Sequence, residues 1–376
     1  MIFLSSPNIS GNEWKYVKDC LDTSWISSVG SYVNKFEEMM AEFTGTKYAI
    51  ATSNGTMALH ISLLLAEVKR ENYVIVPNLT FVASANSITY TGASPIFMDI
   101  DENTWQMDLD LLENFLQTET ELINNNCILK KDKRIIRAIM PVHVLGNMID
   151  MDRLIALTNK YSLSIVEDAT EALGSYYKKK HSGSLGLMGC FSFNGNKIIT
   201  SGGGGMLVTD NEQLAKKAKH LTTQAKADPF EYYHDEIAYN YRLVNILAAI
   251  GVAQMEQLPG FLLRKKEIDV YYKKELSKIG DICFQKIMPG IEANQWLFTF
   301  RSKQQKKILK TLNEKGMQSR PFWVPMNRLP MYTNELYISE NDKSGKIYSE
   351  CVSIPCSTHI KDEELQAISE SIKSCY

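Results

Sequence analysis

Six short runs constrain this chain more than any other feature. They are Tyr73–Pro77 (YVIVP), Ile96–Ile100 (IFMDI), Ala138–Val144 (AIMPVHV), Leu163–Asp168 (LSIVED), Cys190–Phe193 and Gly205–Thr209. Most lack polar alternation. A strand with one wet face alternates apolar and polar residues, so these runs predict strands buried on both faces of a largely parallel sheet. Between them lie helical patterns. In Thr56–Val68 the residues Met57, Ile61, Leu64, Leu65 and Val68 form a stripe on one face. Asp150-Met151-Asp152 opens a further helix with acids where the first-turn dipole favours them. Strand, helix, strand repeated over about 200 residues predicts an α/β layered domain.

With 376 residues the chain exceeds a usual single core, which predicts two domains. After about residue 240 the pattern changes to a long amphipathic stretch, RLVNILAAIGVAQMEQL, and then a basic helical stretch. Strand-like Trp296–Phe300, a helix over 303–315 and the proline- and aromatic-rich GMQSRPFWVPMNRLPMY follow. The division is placed at 1–250 for a large α/β domain and 251–376 for a smaller α+β domain. Residues 117–134 (QTETELINNNCILKKDKR), polar and asparagine-rich, predict a surface insertion.

Several function classes are excluded by composition. A net charge of −2 argues against a nucleic-acid binder. The seven cysteines are odd in number with no C-x-x-C pair, which predicts reduced thiols in a cytoplasmic compartment. None of the six histidines lies in a ligand-spaced pair, so no metal is expected. The segment MIFLSSPNISGNEW lacks the basic start and apolar core of a signal peptide, and no apolar run is read as membrane-spanning.

Three constellations carry chemistry. Asn54-Gly55-Thr56 stands at a helix mouth, where free amides and the dipole suit a phosphate; taken alone, the motif reads first as an ordinary N-cap. The four glycines 202–205 are, alone, a weak phosphate signal. Asp168 and Glu171, three apart at a strand's carboxyl end, suit either helix capping or pairing with a protonated ring nitrogen. Lys197 follows Asp168 by 29 residues, between CFSF and ITSGGGGMLV. Burial there would lower the amine's pKa and suit it to Schiff-base chemistry.

From about residue 22 to 335 the chain resembles the DegT/StrS family of sugar aminotransferases, enzymes of fold type I dependent on pyridoxal 5′-phosphate (PLP). The matching stretches occur in order and include WISSVGSYVNKFEEMMAEFTGTKYAIATSNGTMALHISL, VPNLTFVASANSITYTGASPIFMDID, IVEDATEALGSYY, FSFNGNK and YNYRLVNILAAIGVAQMEQL. The resemblance implies a mostly parallel seven-stranded sheet between helices, with Lys197 as the lysine that forms the Schiff base and moves the proton. Asp168 is similar to the carboxylate paired with the pyridine nitrogen. Glu171 stands where most of the family has glutamine, near the phenolic oxygen. Phe81 resembles the aromatic stacked on the ring; Gly55, Thr56, the Met57 backbone and the Ser192 hydroxyl resemble the phosphate cradle. Asn240 resembles the asparagine that reaches the cofactor of a neighbouring subunit, which implies at least a homodimer with sites at the interface. The implied substrates are L-glutamate and a nucleotide-linked ketosugar.

The wording of SNGTMALHI, EDATEALGSYY and SRPFWVPMNRLPMY resembles the branch that aminates UDP-linked 4-keto-6-deoxy-N-acetylglucosamine, toward N-acetylbacillosamine or legionaminic acid precursors of polysaccharides. The alternative is a GDP-perosamine synthase acting on GDP-4-keto-6-deoxymannose, a group that also has an acidic residue at the position of Glu171. A non-catalytic regulator keeping the fold is a third reading; joint retention of Lys197, Asp168, Ser192 and Asn240 speaks against it. Arg320 and Trp323 are read as sugar contacts or domain packing, and His143 as a cofactor neighbour or a satisfied strand-end histidine.

Overall fold

The computed structural model describes residues 1–228 and 230–376. Its centre is a sheet in the order Tyr48–Thr52, Gly205–Thr209, Met188–Ser192, Ser164–Asp168, Ile135–Ile139, Tyr73–Pro77, Ser94–Met98 and Leu336–Ile338. From Met188–Ser192 to Leu336–Ile338 every pairing is parallel. Gly205–Thr209 runs against its neighbours, pairing antiparallel on both sides. Every residue of Tyr73–Pro77 and Gly205–Thr209 is buried, as their uninterrupted apolar runs require. Helices Gly55–Leu65, Val82–Tyr90 and Met151–Tyr161 cover the sheet. Asp150 caps the last of these, accepting the Arg153 amide proton.

Seven of these strands form the expected sheet, and the eighth, Leu336–Ile338, comes from the C-terminal segment and extends it beside Ser94–Met98. Residues 117–134 are not a plain surface insertion. Thr120–Ile123 and Asn126–Leu129 form an antiparallel hairpin joined to Ile135 and Ile136. Two residues explain it: Asn124 and Asn125 take φ of 49° and 60°, the left-handed values a tight hairpin needs and asparagine tolerates. Cys127 and Leu129 turn inward and are buried.

The helix Asn245–Leu276 runs 32 residues without a break, so the division drawn at 250/251 falls inside it. Its most apolar window has a mean hydropathy of 1.4, enough by length and composition for a membrane crossing, contrary to the reading above. Half of that window is buried, and the helix packs on Glu13–Asp22 and Ser31–Thr44. Beyond it lies an antiparallel sheet in the order Cys283–Phe284, Phe298–Arg301, Cys351–Ile354 and Arg320–Pro321, with Gln305–Glu314 and Asp362–Lys373 as its helices. The N-terminal end of the chain ties into this unit twice: Ile2 bridges Met317, and the Cys356 amide donates to the Leu4 carbonyl.

Candidate active site

A parallel sheet gathers its carboxyl ends on one edge, and the loops leaving that edge build a pocket. The pocket has a volume of about 240 Å³. Gly55, Thr56, Phe81, Glu171, Ser192 and Lys197 all line it, although they span more than 140 residues of sequence.

Asp168 is the last residue of its strand and is 2% exposed. Its Oδ2 accepts from the Ser84 hydroxyl at 2.7 Å and its Oδ1 from the Thr170 amide at 3.1 Å. Ser84 is in turn 2.9 Å from the Thr80 hydroxyl. A buried carboxylate held by two donors has a fixed direction, which a freely rotating one lacks. Glu171 is also buried, and its Oε2 accepts the Leu145 amide at 2.8 Å. Burial raises its carboxyl to about 7, with Lys197 and the Leu145 amide opposing and Asp168 adding to the rise.

Lys197 is half-buried, in a turn closed by its amide donating to the Asn194 carbonyl at 3.0 Å. Burial lowers the amine below the ordinary lysine range, and Glu171 and Asp168 counter part of that shift. Its Nζ lies 4.0 Å from the centroid of the Trp296 ring. Among the described residues no hydrogen bond is made by that Nζ.

The glycine run serves backbone geometry. Gly202 and Gly204 take φ of 80° and 121°. A Cβ on Gly205 would lie 2.4 Å from the Asn54 carbonyl carbon, so only glycine lets that strand pass the helix mouth. Gly55 is equally crowded: a Cβ there would meet Ser192 Cβ at 2.9 Å and Thr170 Cγ2 at 3.2 Å. The helix that begins at Gly55 points its dipole into this cradle. Met57 departs from expectation. Its amide already donates to the Asn54 side chain at 2.9 Å, the helix N-cap, and the residue does not line the pocket.

Phe81 presents a ring 52% exposed at the pocket mouth, 6.3 Å from the Trp323 ring. Asn240 is exposed outside its own chain's pocket, where its Oδ1 accepts from Arg242 Nε at 3.1 Å. His143 is fully buried with its Nε2 2.9 Å from Glu167 Oε2 and lies outside the pocket lining, but its buried Nδ1 has no hydrogen-bond partner among the described residues, so the histidine is satisfied at one nitrogen only. Arg320 also lies outside, donating to the Ser319 carbonyl at 3.2 Å, whereas Trp323 lines the pocket. Sequence reasoning missed Trp296. No motif announces it, and only folding brings it against Lys197.

A model of the DegT/DnrJ/EryC1/StrS aminotransferase family matches residues 7–373. The chain belongs to that family. It is 37% identical over 373 residues to a GDP-perosamine synthase of Escherichia coli O157:H7, covering 98% of this chain and 97% of the relative. It is 38% identical over 352 residues to a GDP-perosamine synthase of Caulobacter vibrioides, covering 90% of each. A Streptococcus pneumoniae structure solved in its PLP form superposes with a TM-score of 0.87 at 27% identity, covering 99% of this chain and 97% of that one. The chain is a PLP-dependent sugar aminotransferase of α/β fold type I. The pocket suits the group: an amine, the Glu171 carboxyl, an exposed aromatic ring and a crowded helix mouth surround one space, and the oriented Asp168 carboxylate, held by Ser84, lies just behind its lining at the strand end.

Proposed function

We propose that this chain moves an amino group from L-glutamate to C4 of GDP-4-keto-6-deoxymannose, as a perosamine synthase does. The chemical part of the reading rests on one observation: the Lys197 amine stands in a pocket with Glu171 and Asp168 as its charged neighbours. When bound, PLP supplies the electron sink for the amino-group exchange. The remaining work belongs to the chain. Lys197 would hold the cofactor covalently and its Nζ would take and return the proton, a role favoured by burial, which lowers the amine below the ordinary lysine range. Asp168, aimed by Ser84, would keep a proton on the ring nitrogen. Gly55, Thr56 and the Ser192 hydroxyl would hold the phosphate, Phe81 would cover the ring, and Glu171 would serve the phenolic oxygen. With its amide taken by Asn54, Met57 contributes position only.

Asn240 serves the pocket of a second copy in a homodimer. Its place outside its own pocket supports this, as do the exposed Phe230, Tyr232, Tyr233 and Ile237 nearby in sequence. The unpaired cysteines fit a cytoplasmic setting.

For the sugar, the two relatives named GDP-perosamine synthase and the acidic residue at 171 support the GDP substrate over the UDP-linked N-acetyl sugar favoured by the wording of the sequence. The test is a two-substrate challenge. The PLP-loaded protein is converted with L-glutamate, freed of glutamate, and offered each ketosugar separately while the visible absorption is followed. Recovery with the GDP sugar alone is expected. Recovery with the UDP-linked N-acetyl sugar alone would overturn the substrate assignment and leave the amino transfer standing.

A further inference from the structure

Trp296 is fastened on every side. It is 3% exposed, and its amide donates to Asn294 Oδ1 at 3.0 Å. Asn294 in turn donates through Nδ2 to the carbonyls of Glu171 at 2.9 Å and Leu173 at 2.8 Å, which binds this segment to the one carrying the carboxylate. The Trp296 carbonyl accepts from the buried Lys265 Nζ at 2.7 Å. Its indole Nε1–H donates to the Asn196 carbonyl at 2.6 Å, one residue before Lys197. Trp323 lies nearly parallel, with ring centroids 6.4 Å apart and 20° between planes.

A ring held only to fill space needs none of these anchors; apolar contact is non-directional. Here they fix one orientation, and that orientation puts the ring face under the Lys197 amine at 4.0 Å from the centroid. The negative face of an indole attracts a cation, most strongly where water is excluded. Glu171 and Asp168 are the ionisable groups that act on this amine, and the Trp296 ring face is the group its Nζ lies over.

We propose that Trp296 is a positioning residue for Lys197: its indole face is the seat of the free ε-ammonium and keeps that amine directed at the pocket whenever it is not covalently engaged. The proposal rests on the reading of Lys197 as the reactive amine. It assigns to the smaller C-terminal unit a direct hand in the chemistry of the larger one.

The test reads the amine itself. Full-length protein freed of cofactor is acetylated competitively across a pH series, and the Lys197 peptide is quantified by mass spectrometry. A ring face that stabilises the ammonium raises its pKa. Trp296→Leu therefore moves the midpoint of Lys197 acetylation down by about one pH unit, roughly tenfold in free amine at a given pH. Trp296→Phe keeps a ring face and stays close to the parent, although it loses the indole N–H. A midpoint unchanged in a folded Trp296→Leu protein would overturn the proposal. So would equal shifts in both variants, because the Asn196 hydrogen bond would then be the cause. A second measurement leaves no cavity: growth on progressively fluorinated tryptophan drains the ring face at nearly constant shape. The midpoint then falls stepwise with fluorination, and a flat response would contradict the proposal. Because no cofactor or sugar is present, an error in the assigned reaction leaves this result unaffected.

Discussion

Replacing Lys197 by alanine lowers turnover by on the order of 10⁴-fold or more, with the protein still folded. Two roles are lost at one atom, covalent hold of the cofactor and transfer of the proton, and among the described residues no other lysine lines the pocket. Stability changes little. The Nζ makes no hydrogen bond among the described residues, and removing it relieves a burial that already disfavours the charged amine. Lys197→Arg separates charge from chemistry, since guanidinium remains protonated and cannot serve as base. It too is expected to be inactive. Steady-state turnover beside a thermal melt checks both variants. An alanine variant within tenfold of the parent's rate would remove Lys197 from the mechanism.

Asp168→Asn lowers turnover by on the order of 10³-fold while costing little stability. The asparagine oxygen keeps the Thr170 amide, and its Nδ2 donates to the Ser84 hydroxyl, which can turn to accept, so the geometry survives and only the negative charge goes. That charge does two things in this account. It keeps a proton on the ring nitrogen, and it supports the charged form of Lys197. Asp168→Ala is the contrasting variant. It leaves the Ser84 hydroxyl and the Thr170 amide without their acceptor in a buried place, which costs about 1–3 kcal/mol in addition to the lost activity. Similar activity in the asparagine variant and the parent would show that the carboxylate is only a structural link.

Much of the site is legible in the sequence because its parts sit at the ends of strands that announce themselves. Asp168 closes LSIVED, Ser192 closes the strand before Lys197, and Phe81 follows YVIVP by a few residues. A parallel sheet brings such ends to one edge, so residues far apart in sequence meet without further information. Met57 marks a limit of this reasoning. A helix mouth offers amides in principle, but the Asn54 cap consumes the Met57 amide, and a cap and an anion cradle share one sequence signature.

What was missed depends on distant pairing. Tyr48–Thr52 is only half uniform in burial and finds its place through Gly205–Thr209, more than 150 residues later. Leu336–Ile338 is three residues long, too short to signal itself. Pro259 interrupts the apparent periodicity of the long helix, yet packing against the two N-terminal helices carries the helix through it. Trp296 reaches Lys197 across the two units, and nothing in QWLFTF predicts that meeting.

The central claim is that Lys197 carries the cofactor. Borohydride reduction of the PLP-loaded protein, followed by peptide mass mapping, tests it most directly. The account predicts a phosphopyridoxyl group on Lys197 alone, and none in the Lys197→Ala protein. The group found on any other lysine, with Lys197 unmodified, would contradict it.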